Sequence, residues 1–463
     1  VVVLPILGVR KRGFRESAYC VFDYPMKLCL GSLSRPMNSR LLLAASLALS
    51  TAGCMHFIAK PLDPTKSAAQ LSSRSLSGKT WTLKALVDEA VRTHPDVAVA
   101  RAQYETAKAT IGTAGERPNP SIALSPQIVT PLDWVAGTYG VDFDWTFETA
   151  GKRSHRMDVA REQANAAAAH VIEATWKVRA SVRKALLNLY ASERKAALLA
   201  DAVTKQNEVL KLLDERINAG AASRRETAQP RLLQAQIRLQ ESDAAKGAAL
   251  ARASLAEALG MGTAGLSCAK FSFAAFEGEP GKHTAHRRAA LTHRADVLAG
   301  LADYAAAEAA LRLEIAKQYP DIHLNPGYQL DGGANKWALG IGLTLPILNQ
   351  NKGLIGEAEA KRKEAAAKFN SVQAKVLADC DRAAAGVTSA RAKVATTDAM
   401  LDEQKKQLES EQRLVTAGEG DRLALLSAQV EQATTLVSRL DALLELQAAL
   451  GDLEEATQSP LEK

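Results

Sequence analysis

The stretch Gly140-Val-Asp-Phe-Asp-Trp-Thr-Phe-Glu-Thr-Ala-Gly-Lys152 constrains this chain most, because it returns 200 residues later. Gly340-Ile-Gly-Leu-Thr-Leu-Pro-Ile-Leu-Asn-Gln-Asn-Lys352 keeps the glycine, the alternating apolar positions and the lysine in register. In the first copy Tyr139, Val141, Phe143, Trp145 and Phe147 alternate with Thr138, Gly140, Asp142, Asp144 and Thr146. In the second, Trp337, Leu339, Ile341, Leu343 and Leu345 alternate with Ala338, Gly340, Gly342 and Thr344. Period-two alternation of this length describes a strand with a different solvent on each face. A side this apolar opposite one this small and polar fits the wall of a membrane β-barrel. One copy alone would equally fit a soluble sheet. Two copies at matching spacing, each running into a very long helix, favour the barrel.

The first 53 residues belong outside the fold argument. Met37-Asn-Ser-Arg40 followed by the apolar run from Leu41 to Ala52 reads as a signal peptide, and residues 1–36 look unlike the rest, so translation is expected to start at Met37. Ser50-Thr-Ala-Gly-Cys54 resembles a bacterial lipoprotein signal with Cys54 as the acylated residue. Thr51 departs from that pattern, and a plain signal peptide is the alternative. Met55, where an aspartate would mark inner-membrane retention, favours the outer membrane. The leader holds seven basic and two acidic residues, so of the chain's net +7 only about +2 remains beyond it. That gives no electrostatic case for nucleic acid. Cys268 and Cys380 are too far apart in sequence to suggest a framework. After the leader there is no run of 18 apolar residues, so any spanning must be done by strands.

In chain order, residues 54–81 read as a polar linker, and residues 82–260 as a first repeat. Its helix runs from about residue 83 to 111 and stops before Pro118 and Pro120. A strand near 121–127 and the strand described above follow. Between Lys152 and Ile217 there is neither proline nor glycine, so one helix of roughly 100 Å is expected. Its seam, Val178, Val182, Ala185, Leu189, Ser192, Ala196, Leu199, Val203, Gln206, Leu210, Leu213 and Ile217, steps by fours and threes like a coiled coil. Ala219-Gly220-Ala221 turns it into a return helix over 224–259. Residues 261–286 are an irregular connector. Residues 287–457 repeat the plan: a helix over 287–317, a strand from Ile322, a turn at Asp331-Gly-Gly333, and a strand ending at Ile347. A long helix over 354–416, with Gly386 near its middle, a turn at Gly418 and a return helix over 422–455 complete it; residues 458–463 are a tail. Duplication at this period is well above chance.

The plan resembles the TolC-like outer-membrane efflux family over about residues 82–457. The resemblance rests on the helices before Pro118 and Pro320, the strand pairs, and the junctions Glu148-Thr-Ala-Gly-Lys-Arg153 and Leu345-Pro-Ile-Leu-Asn-Gln-Asn-Lys-Gly353. The turns Arg216-Ile-Asn-Ala-Gly220 and Leu414-Val-Thr-Ala-Gly418, and Leu425-Leu-Ser-Ala-Gln429, add to it. It implies an α plus transmembrane β fold. In that fold a homotrimer contributes four strands per subunit to one twelve-stranded barrel, continued by a long periplasmic barrel of coiled-coil hairpins. Four strands cannot close a barrel alone, so assembly is also a physical requirement. The resemblance further implies a passive exit duct, fed by an inner-membrane pump through a periplasmic adaptor that grips the hairpin tips.

On that reading the tip residues are Arg216, Gly220, Ser223, Gly418, Glu419 and Asp421. Tyr139, Val141, Phe143, Trp145, Trp337, Leu339, Ile341 and Leu343 face outer-membrane lipid. Gly151, Lys152, Arg153, Asn351 and Lys352 form the barrel-to-helix junctions. Where well-known members place two aspartates beyond the second turn, this chain has Ala424 and Ser427. The Glu148–Arg153 motif looks most like the cobalt–zinc–cadmium and copper–silver branch, which implies metal export with a resistance-nodulation-division type pump.

No catalytic constellation is present, and no cofactor or resident metal is expected. His283, His286 and His293 lack a cysteine or carboxylate pattern and read as solvated surface. Gly278-Glu-Pro-Gly-Lys-His283 misses the phosphate-loop spacing. His170 and Trp176 read as helix packing or surface. The alternatives are the same duct for drugs or a secreted polypeptide, and a soluble periplasmic coiled-coil adaptor whose strands face a protein core.

Overall fold

The computed structural model describes residues 57–129, 133–277 and 287–460. Residues 57–63 contain no helix or strand and belong to a separate unit; the elements below start at Pro64. Cys54, His283 and His286 lie outside the described residues. The stretch read as a polar linker holds a helix, α1 (Pro64–Ser72), and a two-residue strand, β1 (Thr80–Trp81). Pro64 suits a first helical position, where its fixed φ helps and its missing N–H is not needed.

The single helix expected over 83–111 is two helices, α2 (Leu83–Thr93) and α3 (Pro95–Ala114). Pro95 has no N–H and holds His94 in extended backbone (φ −66°, ψ 133°). The freed His94 ring then caps the second helix, its Nδ1 accepting the Asp96 N–H at 3.1 Å. Next come β2 (Ser121–Val129), β3 (Asp133–Phe147) and α4 (Lys152–Asn218), a helix of 67 residues. A 3₁₀ turn (Arg224–Thr227) leads into α5 (Ala228–Ala258). The connector is also structured: a 3₁₀ turn at Thr263–Leu266, β4 (Lys270–Phe271) parallel to β1, and a one-turn helix, α6 (Ala274–Glu277).

The second half repeats the order with α7 (Arg287–His293), α8 (Ala295–Ala316), β5 (Ile322–Asp331), β6 (Ala334–Leu343), α9 (Lys352–Thr416) and α10 (Arg422–Thr457). Here too the expected single helix over 287–317 is broken, at Arg294 (φ −62°, ψ 142°). β6 stops at Leu343, short of the expected Ile347, because Leu343 already pairs with Ile322, the first residue of β5, and Pro346 has no ladder donor. Gly386 does not interrupt α9.

The four longer strands form one antiparallel sheet in the order β2-β3-β5-β6. Ile122 opposes Phe143, Leu124 opposes Val141, Trp145 opposes Leu324, and Leu324 opposes Ile341. Residues directly opposite share a face, so this register collects the apolar positions of all four strands on one side. Among the described residues β2 and β6 each have one edge without a strand on it.

Helix packing is alanine-rich, which lets backbones approach closely. α4 lies against α2, α3, α5, α8 and α10. Its buried positions therefore extend beyond the expected two-helix seam to Leu186, Leu187, Ala202 and Val209, while Ser192, Ala196, Val203, Leu210 and Ile217 are only half-buried. A coiled-coil pattern underestimates burial because it counts one neighbour where five are present among the described residues. Three cores result. One gathers Leu86, Val97, Val182, Leu186, Leu255 and Phe276; a second Val376, Cys380, Leu446 and Leu450; a third, toward the tips, Leu199, Leu213, Ile237, Leu426 and Val430. Among the described residues no helix is long and apolar enough to cross a membrane.

Candidate functional site

Three regions carry the sequence-derived site residues: the sheet, the two strand-to-helix junctions and the two hairpin tips. On the sheet, β6 is almost wholly open on both faces. Trp337 is 81% exposed, Leu339 69% and Ile341 68%, with Leu343, Phe143 and Trp145 also exposed. Tyr139 and Val141 are half-buried, since β2 and β5 flank them on both sides. Neighbouring rings pack on one another, Trp145 on Phe147 (centroids 5.2 Å) and Tyr328 on Trp337 (4.8 Å). A contiguous apolar face of this extent, ending in open strand edges, has to be covered by lipid or protein in the working molecule.

The opposite face is small and polar. Thr138 Oγ1 and Lys336 Nζ both donate to Asp331, at 2.9 and 2.6 Å. His323 Nδ1 sits 3.2 Å from Asp144 Oδ1 and 3.2 Å from Thr146 Oγ1. Ser125 Oγ approaches Asp142 at 3.4 Å.

At the junctions the chain turns from strand to helix through paired left-handed residues, Ala150 and Gly151 (φ 54° and 69°) in one repeat, Gln350 and Asn351 (φ 46° and 55°) in the other. The backbone solution is the same, and the side chains differ. Lys152 is buried, and its Nζ donates to Tyr319 O and Asp321 Oδ1, both at 2.7 Å. Thr149 N–H donates to the same Asp321 oxygen (2.9 Å) and Thr149 Oγ1 to Pro320 O (2.6 Å). Partial burial pushes the Asp321 carboxyl up, but the Lys152 and Thr149 donors outweigh it and hold the group below the usual carboxylate range. Arg153 Nε and Arg156 Nη2 donate to Gly115 O (2.6 Å) and Glu116 O (3.2 Å), and Arg156 pairs with Glu148, so cations serve the carbonyl end of α3. In the second repeat Lys352 is exposed. Asn351 Nδ2 instead donates to Glu314 O (2.8 Å) and Glu314 Oε2 (3.0 Å).

The tip residues come together at one end of the hairpins. Gly220 and Gly418 have φ of 72° and 79°, the left-handed conformation that lets each helix reverse. Ser223 and Glu226 form a capping box, with Ser223 Oγ accepting Arg225 N–H (3.1 Å) and Glu226 accepting Ser223 N–H (2.9 Å). Arg216 of the first hairpin pairs with Asp421 of the second, Nη1 to Oδ2 at 3.0 Å, while Asp421 Oδ1 caps α10 through Leu423 N–H (2.8 Å). The Arg216 guanidinium, with the Leu423 N–H, holds the Asp421 carboxyl below the usual range. Both partners of this pair are partly exposed, so it is screened and weak. Glu419 is exposed.

Sequence reasoning missed a buried polar layer between α4 and α10. Arg179 Nε meets Glu454 Oε1 at 2.5 Å, and Arg183 Nη2 meets Gln447 Oε1 at 3.1 Å. Arg179 and Arg183 lie four apart, one place along from Val178 and Val182 of the seam, which was the available signal. His170 pairs with Glu173 (3.2 Å), and Arg179 lies 5.7 Å over the Trp176 ring. His293 Nδ1 contacts Thr292 Oγ1. Among the described residues no group of three or more histidines, cysteines or carboxylates could hold a metal ion.

The sequence pattern of the outer membrane efflux protein family matches residues 86–261 and 287–458, the two halves of the duplication. The cobalt-zinc-cadmium resistance protein CzcC of Cupriavidus metallidurans is 22% identical over 300 residues, covering 64% of this chain and 70% of CzcC. The outer membrane protein VceC of Vibrio cholerae superposes with a TM-score of 0.65 at 21% identity, over 82% of this chain and 97% of VceC. CusC, solved in connection with transmembrane channel formation, gives 0.67 at 15% identity, over 82% and 92%.

Proposed function

The chain belongs to the outer membrane efflux protein family, and we propose that within it this protein is the trimeric exit duct of a tripartite heavy-metal efflux system. The observation that carries the proposal is the sheet. Among the described residues its apolar face is uncovered and both its edges are open, and its strands run directly into long paired hairpins. Three copies joined edge to edge would give every edge a partner and lipid would cover the apolar face. Tyr139, Val141, Phe143, Trp145, Trp337, Leu339, Ile341 and Leu343 are the lipid-facing residues of that barrel, and Cys54 carries its lipid anchor. The hairpins form the periplasmic tunnel. A periplasmic adaptor grips Arg216, Gly220, Ser223, Gly418, Glu419 and Asp421, and an inner-membrane pump of the resistance-nodulation-division type supplies the energy. Similarity to a cobalt-zinc-cadmium resistance protein and the Glu148–Arg153 motif support metal cations as cargo.

Growth of a deletion strain across graded cobalt, zinc, cadmium, copper, silver and several drugs tests this. Metal hypersensitivity reversed by the gene is expected. Sensitivity to drugs alone would remove the metal assignment and keep the duct. For the barrel itself, Phe143→Arg near the membrane midplane should cost about 2–4 kcal/mol and deplete the trimer in detergent extracts. An unaffected oligomer would return the sheet to a soluble role.

A further inference from the structure

The two hairpins meet along α4 and α10, and the α10 side of that seam changes character along its length. Toward the tips it reads Leu426, Val430, Ala433, Val437, Leu440 and Leu444, in steps of four and three. The same steps then land on Gln447, Gly451 and Glu454. Gln447 and Glu454 are buried, and Arg183 of α4 is buried with them. Its guanidinium donates to Gln447 Oε1 at 3.1 Å and stands 5.4 Å over the Phe276 ring. Gly451 makes the room, since a Cβ there would lie 3.2 Å from Arg183 Nε. Arg179, one turn earlier, donates to Glu454 Oε1 at 2.5 Å. The match is incomplete. Glu454 Oε2 accepts no hydrogen bond among the described residues, and Arg183 Nε stands 3.9 Å from it.

Such a layer adds little stability, because desolvating the charges offsets what their pairing returns. It is a strong determinant of register. Leucine, valine and alanine recur so evenly along the rest of the seam that a slip of one heptad, about 10 Å along the axis, would still pack apolar on apolar. The same slip would strand Arg183 and Glu454 in a dry seam. We propose that Arg179, Arg183, Gln447, Gly451 and Glu454 fix the axial register of the second repeat on the first, so that the two hairpin tips come level. The tip pair Arg216–Asp421, about 50 Å further along α4, is partly exposed and too weak to set that register itself. With Gly220 placed on Gly418, Arg179 and Arg183 correspond to Leu377 and Asp381, and Gln447, Gly451 and Glu454 to Ala249, Ala253 and Ala256. Those counterparts carry neither the arginines nor their acceptors, so the layer also distinguishes α4 from α9 as the partner of this face. The inference concerns how the two repeats are set against each other and goes beyond the exit-duct reading, whose cargo and partners it leaves open.

The test is cross-linking in the purified full-length protein, with Cys268→Ser to remove the exposed native thiol. Lys195→Cys with Asp441→Cys reports the native register, in which those two side chains pair at 2.9 Å. Lys195→Cys with Thr434→Cys, or with Ala448→Cys, reports a slip of one heptad in either direction. A short thiol cross-linker joins each pair, and peptide mass spectrometry measures the yield. With the layer intact the native pair should dominate. Arg179→Met, Arg183→Leu, Gln447→Leu and Glu454→Leu together should leave the melting temperature unchanged or higher, while most of the native link is lost to the displaced pairs. Gly451→Ala keeps every charge and crowds only the guanidinium, and should displace a smaller share. Native linking alone in the folded apolar variant overturns the inference. Should that variant fail to fold, native linking alone in Gly451→Ala overturns it.

Discussion

At His94–Pro95 the entry helix of the first repeat breaks because position 95 has no N–H, whereas at Arg294–Ala295 the second repeat makes the same break with the N–H present. In the first case the end of the return helix closes against the break as Gly260 (φ 67°), so near that a Cβ there would lie 2.6 Å from Pro95 Cδ. In the second, the corresponding left-handed residue is Gln458 (φ 47°), and its side-chain Oε1 accepts the Ala295 N–H at 2.7 Å. Arg294, which is buried, donates to Ala456 O (2.8 Å) and to both oxygens of Asp296 (3.0 and 2.7 Å). One repeat removes a donor, and the other supplies an acceptor and a guanidinium. Duplication has kept the backbone path and let the chemistry that enforces it diverge. Lys152 and Lys352 teach the same lesson, one buried on Asp321, the other exposed.

The largest effect is expected where the second repeat depends on tertiary contacts. Arg294→Ala leaves Ala456 O and Asp296 without their partner in a buried place and should cost about 3 kcal/mol, read from denaturant melting of the solubilised protein. His94→Ala at the equivalent position should cost about 1 kcal/mol or less, the worth of a cap. Equal losses would break the comparison. Next, Lys152→Ala should cost about 2 kcal/mol by stranding Asp321, while Lys352→Ala stays within about 0.5 kcal/mol.

The Lys152 effect carries a pH signature. Asp321 is held below its ordinary pKa when folded, so its contribution is fully present above the ordinary carboxylate value. It fades as pH falls through the folded value. The gap between wild type and Lys152→Ala should therefore narrow below about pH 4. A gap that persisted in acid would mean that Lys152 acts by packing alone. The smallest effects sharpen the comparison most. Gln458→Ala should cost about 1 kcal/mol by orphaning the Ala295 N–H. Adding Ala295→Pro in that background should recover the loss, because the first repeat's solution has been transplanted. Arg294 already has the extended backbone that a following proline requires. Failure to recover would show that the N–H is not what Gln458 serves.

Much of this molecule is legible in the sequence. Alternation at Tyr139–Phe147 and Trp337–Leu343 gives the two-faced strands, because side-chain period in a strand is local. The absence of proline and glycine from Lys152 to Ile217 gives a helix observed to end at Asn218, and Gly220 and Gly418 mark its reversal and that of its counterpart. The break at Pro95 was missed although its signal, a proline inside the helical pattern, stands in the sequence. The break at Arg294 had no such signal, since nothing about arginine and alanine in sequence forbids a helix. What forbids it lies more than 160 residues away, at Ala456 and Gln458. The Arg179–Glu454 layer was hidden for the same reason, as charges beside a seam usually face water.

The sequence by itself determined the duplication, the order of elements, the two faces of the sheet and the places where the long helices turn, all of which depend on residues within a few turns of each other. Only the tertiary structure decided which duplicated lysine is buried, which charged side chains face a neighbouring helix, and which carboxylates of the polar face are neutralised. Those outcomes depend on partners brought in from distant parts of the chain, and burial turns a solvated charge into one that must be matched.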